Sequence, residues 1–339
     1  MGLKYPAAFL ALVLVWLVTG PPVFGEWPER GLTLVVSVPQ TLPWGETPNP
    51  QAAILEALGP RLSRELGVPV SLVFHAEGGG VLAANAVALA REDGYTLTAL
   101  ANDPAVNLVI QGYTPYVWGE VAPVATAWRV IHVLVAQNNH PAVNLLSLAE
   151  IYKNSKGVRP RLAVSSLEPL GSATLLAMEA ARQAGFAWEL TRVESLDPEV
   201  LLAGSAEAMV LPLAYFKTHP HPDAFKVLSI LSADTPLGAD KSWPNLKSQG
   251  LTITTNTFFA FYLPAKVNWR IRNRLSTAIN NTLRLKAMSE SLIAAGLAPY
   301  LEDSEGVGAI LNEEYSNQVK LLQSFGLLEP SHEPEPAAK

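Results

Sequence analysis

Residues 67–97, GVPVSLVFHAEGGGVLAANAVALAREDGYTL, limit the possible folds of this chain more than any other stretch. Residues 68–74 are rich in β-branched and aromatic side chains and predict a strand. Residues 81–91 are alanine-rich, without Pro or Gly, and predict a helix. Between them lie Glu77, Gly78, Gly79 and Gly80. Three glycines let the main chain turn sharply and come close to a guest. A helix that begins there carries N–H groups with no intrahelical partner, and such an end attracts anions. A tight β–α turn built only for packing needs the same small residues, so the loop alone leaves both readings open.

The same alternation continues along the chain. Residues 32–38 form a β-branched apolar run, as in a strand covered on both faces. Residues 40–50 form a loop with three prolines and Trp44. Ile54, Leu55, Leu58 and Leu62 mark one face of a helix over 51–66, which Gly67 ends and Gly59-Pro60 should kink or interrupt. Strands follow at 96–100, 121–127 and 130–136, and Asn102-Asp103-Pro104 makes a turn or helix cap. The second half repeats the unit: strand 161–164, polar loop 165–172, helix 173–184, strand 188–193. Further strands are predicted at 208–212, 225–231 and 258–263, then helices at 268–285, 286–295 and 307–325. Alternating β and α elements predict parallel sheets covered by helices, with ligands at the carboxyl ends of the strands. Four loops qualify, 40–50, 75–80, 102–104 and 165–172, and a cleft between two α/β lobes would bring them together.

A chain of 339 residues suits two domains. At 49% hydrophobic and 16% charged it can bury a real core. A net charge of −6 with no basic run argues against nucleic acid as a partner. There is no cysteine, which excludes thiolate catalysis, disulfides and Cys-ligated zinc. Residues 1–25 read as a secretory signal: Lys4, an apolar run over 7–18, then Pro21 and Pro22. The run is shorter than the roughly 20 residues of a membrane span, so cleavage and export are expected. Residues 326–339 end in a Pro/Glu/Ala-rich stretch expected to be a disordered tail.

Several of these stretches carry a resemblance. PERGLTLVVSVP (28–39), the 67–97 segment ending in Asp93-Gly94-Tyr95-Thr96-Leu97, AVSSLEPLGSATLLAMEA (163–180) and LLAGSAEAMV (201–210) resemble the periplasmic receptors of tripartite tricarboxylate transporters. The likeness spans roughly residues 28–325 and is most specific in its first third. It implies an α/β, two-lobe Venus-flytrap fold, type II-like, with two strand crossovers near 127–134 and 254–262. The implied division is 26–128 plus 262–325 for lobe 1 and 129–261 for lobe 2. It also implies a periplasmic protein that delivers a small carboxylate to a membrane permease, without catalysis, cofactor or metal. Carried over, the ligand-binding positions are Gln40, Thr41, Trp44, Gly45, Glu46, Thr47, Glu77, Gly78, Gly79, Gly80, Asn102, Ser165, Ser166, Gly171 and Ser172.

The chain departs from the family pattern in its first loop, which is long and proline-stiffened, and at Glu46, Glu77, Glu168 and Glu194. All four glutamates fall on loops expected to face the cleft. A carboxylate facing a carboxylate guest costs several kcal/mol unless one is protonated or a cation intervenes. A guest that is neutral or zwitterionic is therefore weighed against the family's carboxylate, and against glutamates that simply face solvent. Two other functions stay open at this level. One is a secreted serine hydrolase using Ser165 or Ser166, although no G-x-S-x-G elbow surrounds them. The other is an interaction protein whose cleft is plugged by Trp44. His219-Pro-His221 suggests a metal pair, but surface-loop histidines explain it as well.

Overall fold

A computed structural model describes residues 27–153, 155, 157–252 and 255–329. The expected signal over 1–25 and residues 330–339 of the expected tail lie outside the described residues. The strands fall into two sheets. The first runs β11(Ala298–Pro299)-β4(Val121–Arg129)-β10(Phe258–Pro264)-β3(Thr96–Ala101)-β1(Leu32–Val36)-β2(Val70–Phe74). Strands β1, β2 and β3 are mutually parallel, and β10 runs antiparallel to both β3 and β4. The second runs β7(Glu189–Val193)-β6(Arg161–Ser165)-β8(Ala208–Pro212)-β5(His132–Gln137)-β9(Phe225–Ile230). There β6 is parallel to β7 and β8, and β5 runs antiparallel to β8 and β9. The two sheets thus repeat one plan: three parallel strands, one reversed strand and a further strand beyond it, to which the first sheet adds the short β11 at its edge. This is the two-lobe arrangement that the resemblance implied.

Each reversed strand is delivered from the other lobe. Strand β4 ends at Arg129 and β5 begins at His132, so residues 130–131 make the first crossing. The second arrives at β10 through Thr257, whose carbonyl accepts the Val130 N–H at 2.8 Å. The two crossings therefore lie side by side. Because β10 is paired with β4 along its whole length and with β3 over 259–262, residues 258–261 belong to the first sheet. A division at 262 would split that strand.

Helix α1(Pro50–Leu66) covers the first sheet with Leu55, Leu58 and Leu62, all fully buried. Each contributes about 1.5–3 kcal/mol by leaving water. The expected interruption at Gly59-Pro60 is absent, and α1 is one helix. Proline removes the helix bond to the carbonyl of Glu56; the neighbouring turn carries two further side-chain bonds, Arg61 Nη1 to Ala57 O and Ser63 Oγ to Gly59 O. A Cβ on Gly59 would stand 2.7 Å from Leu72 Cδ1, so glycine lets α1 approach β2. Helix α2(Val81–Ala88) is shorter than the predicted 81–91. Helices α3(Leu145–Tyr152) and α4(Ser172–Ala184) cover the second sheet. Helix α5(Leu213–Phe216) follows β8, and α6(Trp269–Leu283), α7(Lys286–Ala294) and α8(Ser304–Ser324) return to the first lobe. Among the described residues no helix is long and apolar enough to cross a membrane.

Candidate functional site

The carboxyl ends of the parallel strands of both sheets face one interlobe cavity of about 230 Å³. Its floor is the crossing itself, Val130, His132, Thr257 and Phe259. The first lobe supplies Ser37 and Pro39 after β1, Ala76 and Gly79 after β2, and Asp103 after β3. The second supplies Ser165, Glu168 and Gly171 from the loop after β6, with Thr174 and Tyr215.

Gly78, Gly79 and Gly80 have φ of 63°, 64° and 90° in succession. Only glycine adopts this run of left-handed conformations cheaply. Gly80 is wedged against Ser37 and Pro104, where a Cβ would stand 3.0 and 3.1 Å from side-chain carbons. The turn places Gly79 in the cavity wall two residues ahead of α2, whose start has no side-chain cap and whose Val81 N–H is bonded to Gly78 O.

Two carboxyl groups reach across the cleft. Asp103, in the first lobe, accepts the Ser172 N–H at 2.6 Å and so caps α4 in the second. Glu168, in the second lobe, lies over Gly79 in the first; a Cβ on Gly79 would stand 1.7 Å from Glu168 Oε1. Burial, and then the Asp103 charge, push the Glu168 carboxyl up to about 8. At neutral pH it is an uncharged donor. His132 is driven the other way by burial, down to about 4. It is therefore neutral in the folded protein, while an unfolded histidine titrates near its ordinary 6.5. Between pH 4 and 6.5 the unfolded chain binds more protons, so this contribution to stability is present above 6.5 and is lost on acidification. Scanning calorimetry from pH 7 to 4 is expected to show the melting temperature of His132→Gln gaining on that of the parent as pH falls; a difference between the two that does not change with pH would refute this assignment.

Of the fifteen positions carried over by resemblance, Gly79, Ser165 and Gly171 line the cavity. Gly80 and Ser172 lie just behind it, buried. The first loop does not reach it: Gln40, Thr41, Gly45 and Glu46 are exposed and Thr47 is half-buried, because the Thr41–Pro48 bridge closes the loop on itself. Trp44 inserts into the second lobe, edge-on to Tyr215 at 6.4 Å and His219 at 5.0 Å. It does not plug the cavity. Glu77 and Gly78 are exposed, and His75 sits 3.7 Å from Glu77. Asn102 is fully buried and spent on the second crossing: it donates to Asn256 O and accepts the Phe258 N–H. Ser166 is tied to Val193 O. Of the four glutamates only Glu168 lines the cavity; Glu46, Glu77 and Glu194 are exposed. Ser165 Oγ accepts the Leu167 and Glu168 N–H groups, a turn arrangement rather than a nucleophile held by a base. Buried His219 faces Asp197 at 3.4 Å and packs on Trp44. Among the described residues no group of three metal-ligating side chains occurs.

Residues that the sequence reading missed are Ser37, Gln51, Asp103, His132, Tyr215 and Thr257. Tyr215 bridges the lobes through its hydroxyl, which accepts from Asn49 Nδ2 at 3.0 Å and Gln51 Nε2 at 3.5 Å. Only Asp103 had a local signal, as the cap candidate of the 102–104 loop.

Two α/β lobes, two crossings and a cavity at the strand ends define a periplasmic-binding-protein class of molecule. Residues 54–327 match the family model described as "Tripartite tricarboxylate transporter family receptor", and the chain belongs to that family. The chain is 26% identical over 334 residues to Protein BugT of Bordetella pertussis, covering 94% of this chain and 97% of that one. Among solved structures it is similar to R. palustris Rpa4515 with adipate, at TM-score 0.74 and 19% identity, over 89% of this chain and 99% of that one. It is also similar to MatC (Rpa3494) from Rhodopseudomonas palustris with bound malate, at TM-score 0.70 and 17% identity, over 87% of this chain and all of that one.

Proposed function

We propose that this receptor is exported, closes its lobes over one small organic solute in the interlobe cavity, and hands it to the permease of a tripartite transporter. The observation that carries this reading is the interlobe cavity at the strand ends, with Gly79 of the left-handed glycine turn in its wall. The glycine turn there lets main-chain groups come close to a carboxylate end. The relatives solved with adipate and malate support an acid as the default guest. The other end of the cavity is different. Among the described residues no lysine or arginine lines it, whereas Asp103 and Glu168 do. A second carboxylate there would face the Asp103 charge with protonated Glu168 as its one donor, so the guest that fits carries one carboxylate and a neutral or cationic group at its far end.

Thermal-shift and calorimetric titration with succinate, malate, adipate, small amino acids and their amides tests this. Zwitterions and amides are expected to raise the melting temperature more than dicarboxylates do. Stabilisation by succinate or citrate alone would overturn the assigned guest class, and no response to any of them would count against the receptor reading. The N-terminal residue of the protein recovered from the periplasm tests export.

A further inference from the structure

We infer a second ligand site in the first lobe, outside the cleft, for a small flat monocarboxylate such as an aromatic acid. A cavity of about 230 Å³ opens between the start of β4, strand β10 and helix α8. Its size falls just below the usual range for drug-sized ligands, about 300–1,000 Å³, and suits a single ring. Tyr262 lines it from β10 and is fully buried, yet its hydroxyl has no hydrogen-bond partner among the described residues. Buried polar groups are almost always paired, and leaving one unpaired is costly. Arg272 lines the same cavity from α6. It is half-buried and, among the described residues, has no acidic partner within 4 Å. Trp118 adds an aromatic wall, held by Tyr315 at a ring distance of 4.5 Å.

Helix α8 keeps the space open. Ser304, Gly308 and Leu311 share the face that lines it, at helical spacing. A Cβ on Gly308 would meet nothing within 4 Å, so the cavity has room beside that glycine. The chemistry is an apolar slot with one cation and one unpaired hydroxyl. The Tyr262 hydroxyl is covered in this structure, so binding includes a small shift of that side chain; a carboxylate then supplies acceptors for both, and an aromatic guest fills the slot against Trp118. This site shares no residue with the interlobe cavity. The inference stands whether or not the proposed solute is right.

Benzoate is the test ligand, followed by saturation-transfer NMR and titration calorimetry on the whole mature chain. Saturable one-to-one binding is expected in the millimolar range or tighter. Tyr262→Phe and Arg272→Gln should each weaken it about tenfold, as loss of one good hydrogen bond would. Gly308→Leu should abolish it by filling the slot. Tyr262→Phe removes a buried unpaired hydroxyl, so its melting temperature should hold or rise, which separates lost binding from lost folding. Gly79→Val, in the interlobe cavity, should leave benzoate affinity unchanged. Absence of saturable binding would overturn the inference. So would binding that Gly79→Val abolishes while the Tyr262, Arg272 and Gly308 variants retain it.

Discussion

Replacing Gly79 by valine is expected to abolish solute capture, lowering affinity at least about 100-fold for any guest that binds the parent protein. Two effects act together. At φ of 64° a β-branched residue is strained by roughly 1–2 kcal/mol. Its Cβ would also stand where Glu168 Oε1 now lies, 1.7 Å away. The added methyl groups then enter the cavity at the start of α2. Calorimetric titration reads the affinity, and a melting curve recorded alongside reads the backbone penalty. A variant that binds as tightly as the parent would remove the glycine turn from the site. Gly78→Ala is the contrast: its Cβ meets only Val81 Cβ, at 3.8 Å, so it carries the backbone strain without blocking the cavity.

Glu168 is expected to make solute affinity depend on pH, with a sign that reports the guest. Its carboxyl titrates at about 8 because burial, then the Asp103 charge, oppose ionisation. Below that pH it is a neutral donor; above it, a second negative charge faces the guest. A carboxylate should lose affinity as pH rises through 8, by up to about tenfold per unit. An ammonium group placed at that end should gain. Glu168→Gln keeps the shape, cannot ionise, and should give a flat profile in either case. Folding stability should follow the same proton. Between the ordinary 4.5 and about 8 the folded chain holds it more tightly, so stability is full at low pH and falls as pH rises through 8. Glu314, raised by burial to about 7, adds to the same slope. Matching pH profiles for parent and Glu168→Gln would mean that the group faces solvent rather than guest.

Much of the fold was legible because it is written in local pattern. The β-branched runs at 32–36 and 70–74 and the glycine triplet all act within a few residues of themselves. The recurrence of a strand, polar loop and helix at 161–184 announced the second lobe in the same way. The site was less legible because its parts act across long separations. Asp103 caps a helix that starts 69 residues later, and no periodicity encodes that. Asn102 had the composition of a ligand contact, yet its amide is consumed in pinning residues 256 and 258. Trp44 sat on a strand-end loop, the usual address of a ligand, but proline and the Thr41–Pro48 bridge turn that loop toward Tyr215. Among the glutamates, exposure separated one from three, and exposure is a property of the assembled lobes.

The exchanged strands bear on how the molecule is made. All five strands of the second sheet lie in one uninterrupted run, residues 132–230. The first sheet has a gap between β3 and β4 until β10 arrives from beyond that run. A chain emerging from its N-terminus can therefore finish its second half while its first half is still missing an interior row. The older half of the polypeptide is the younger half of the structure.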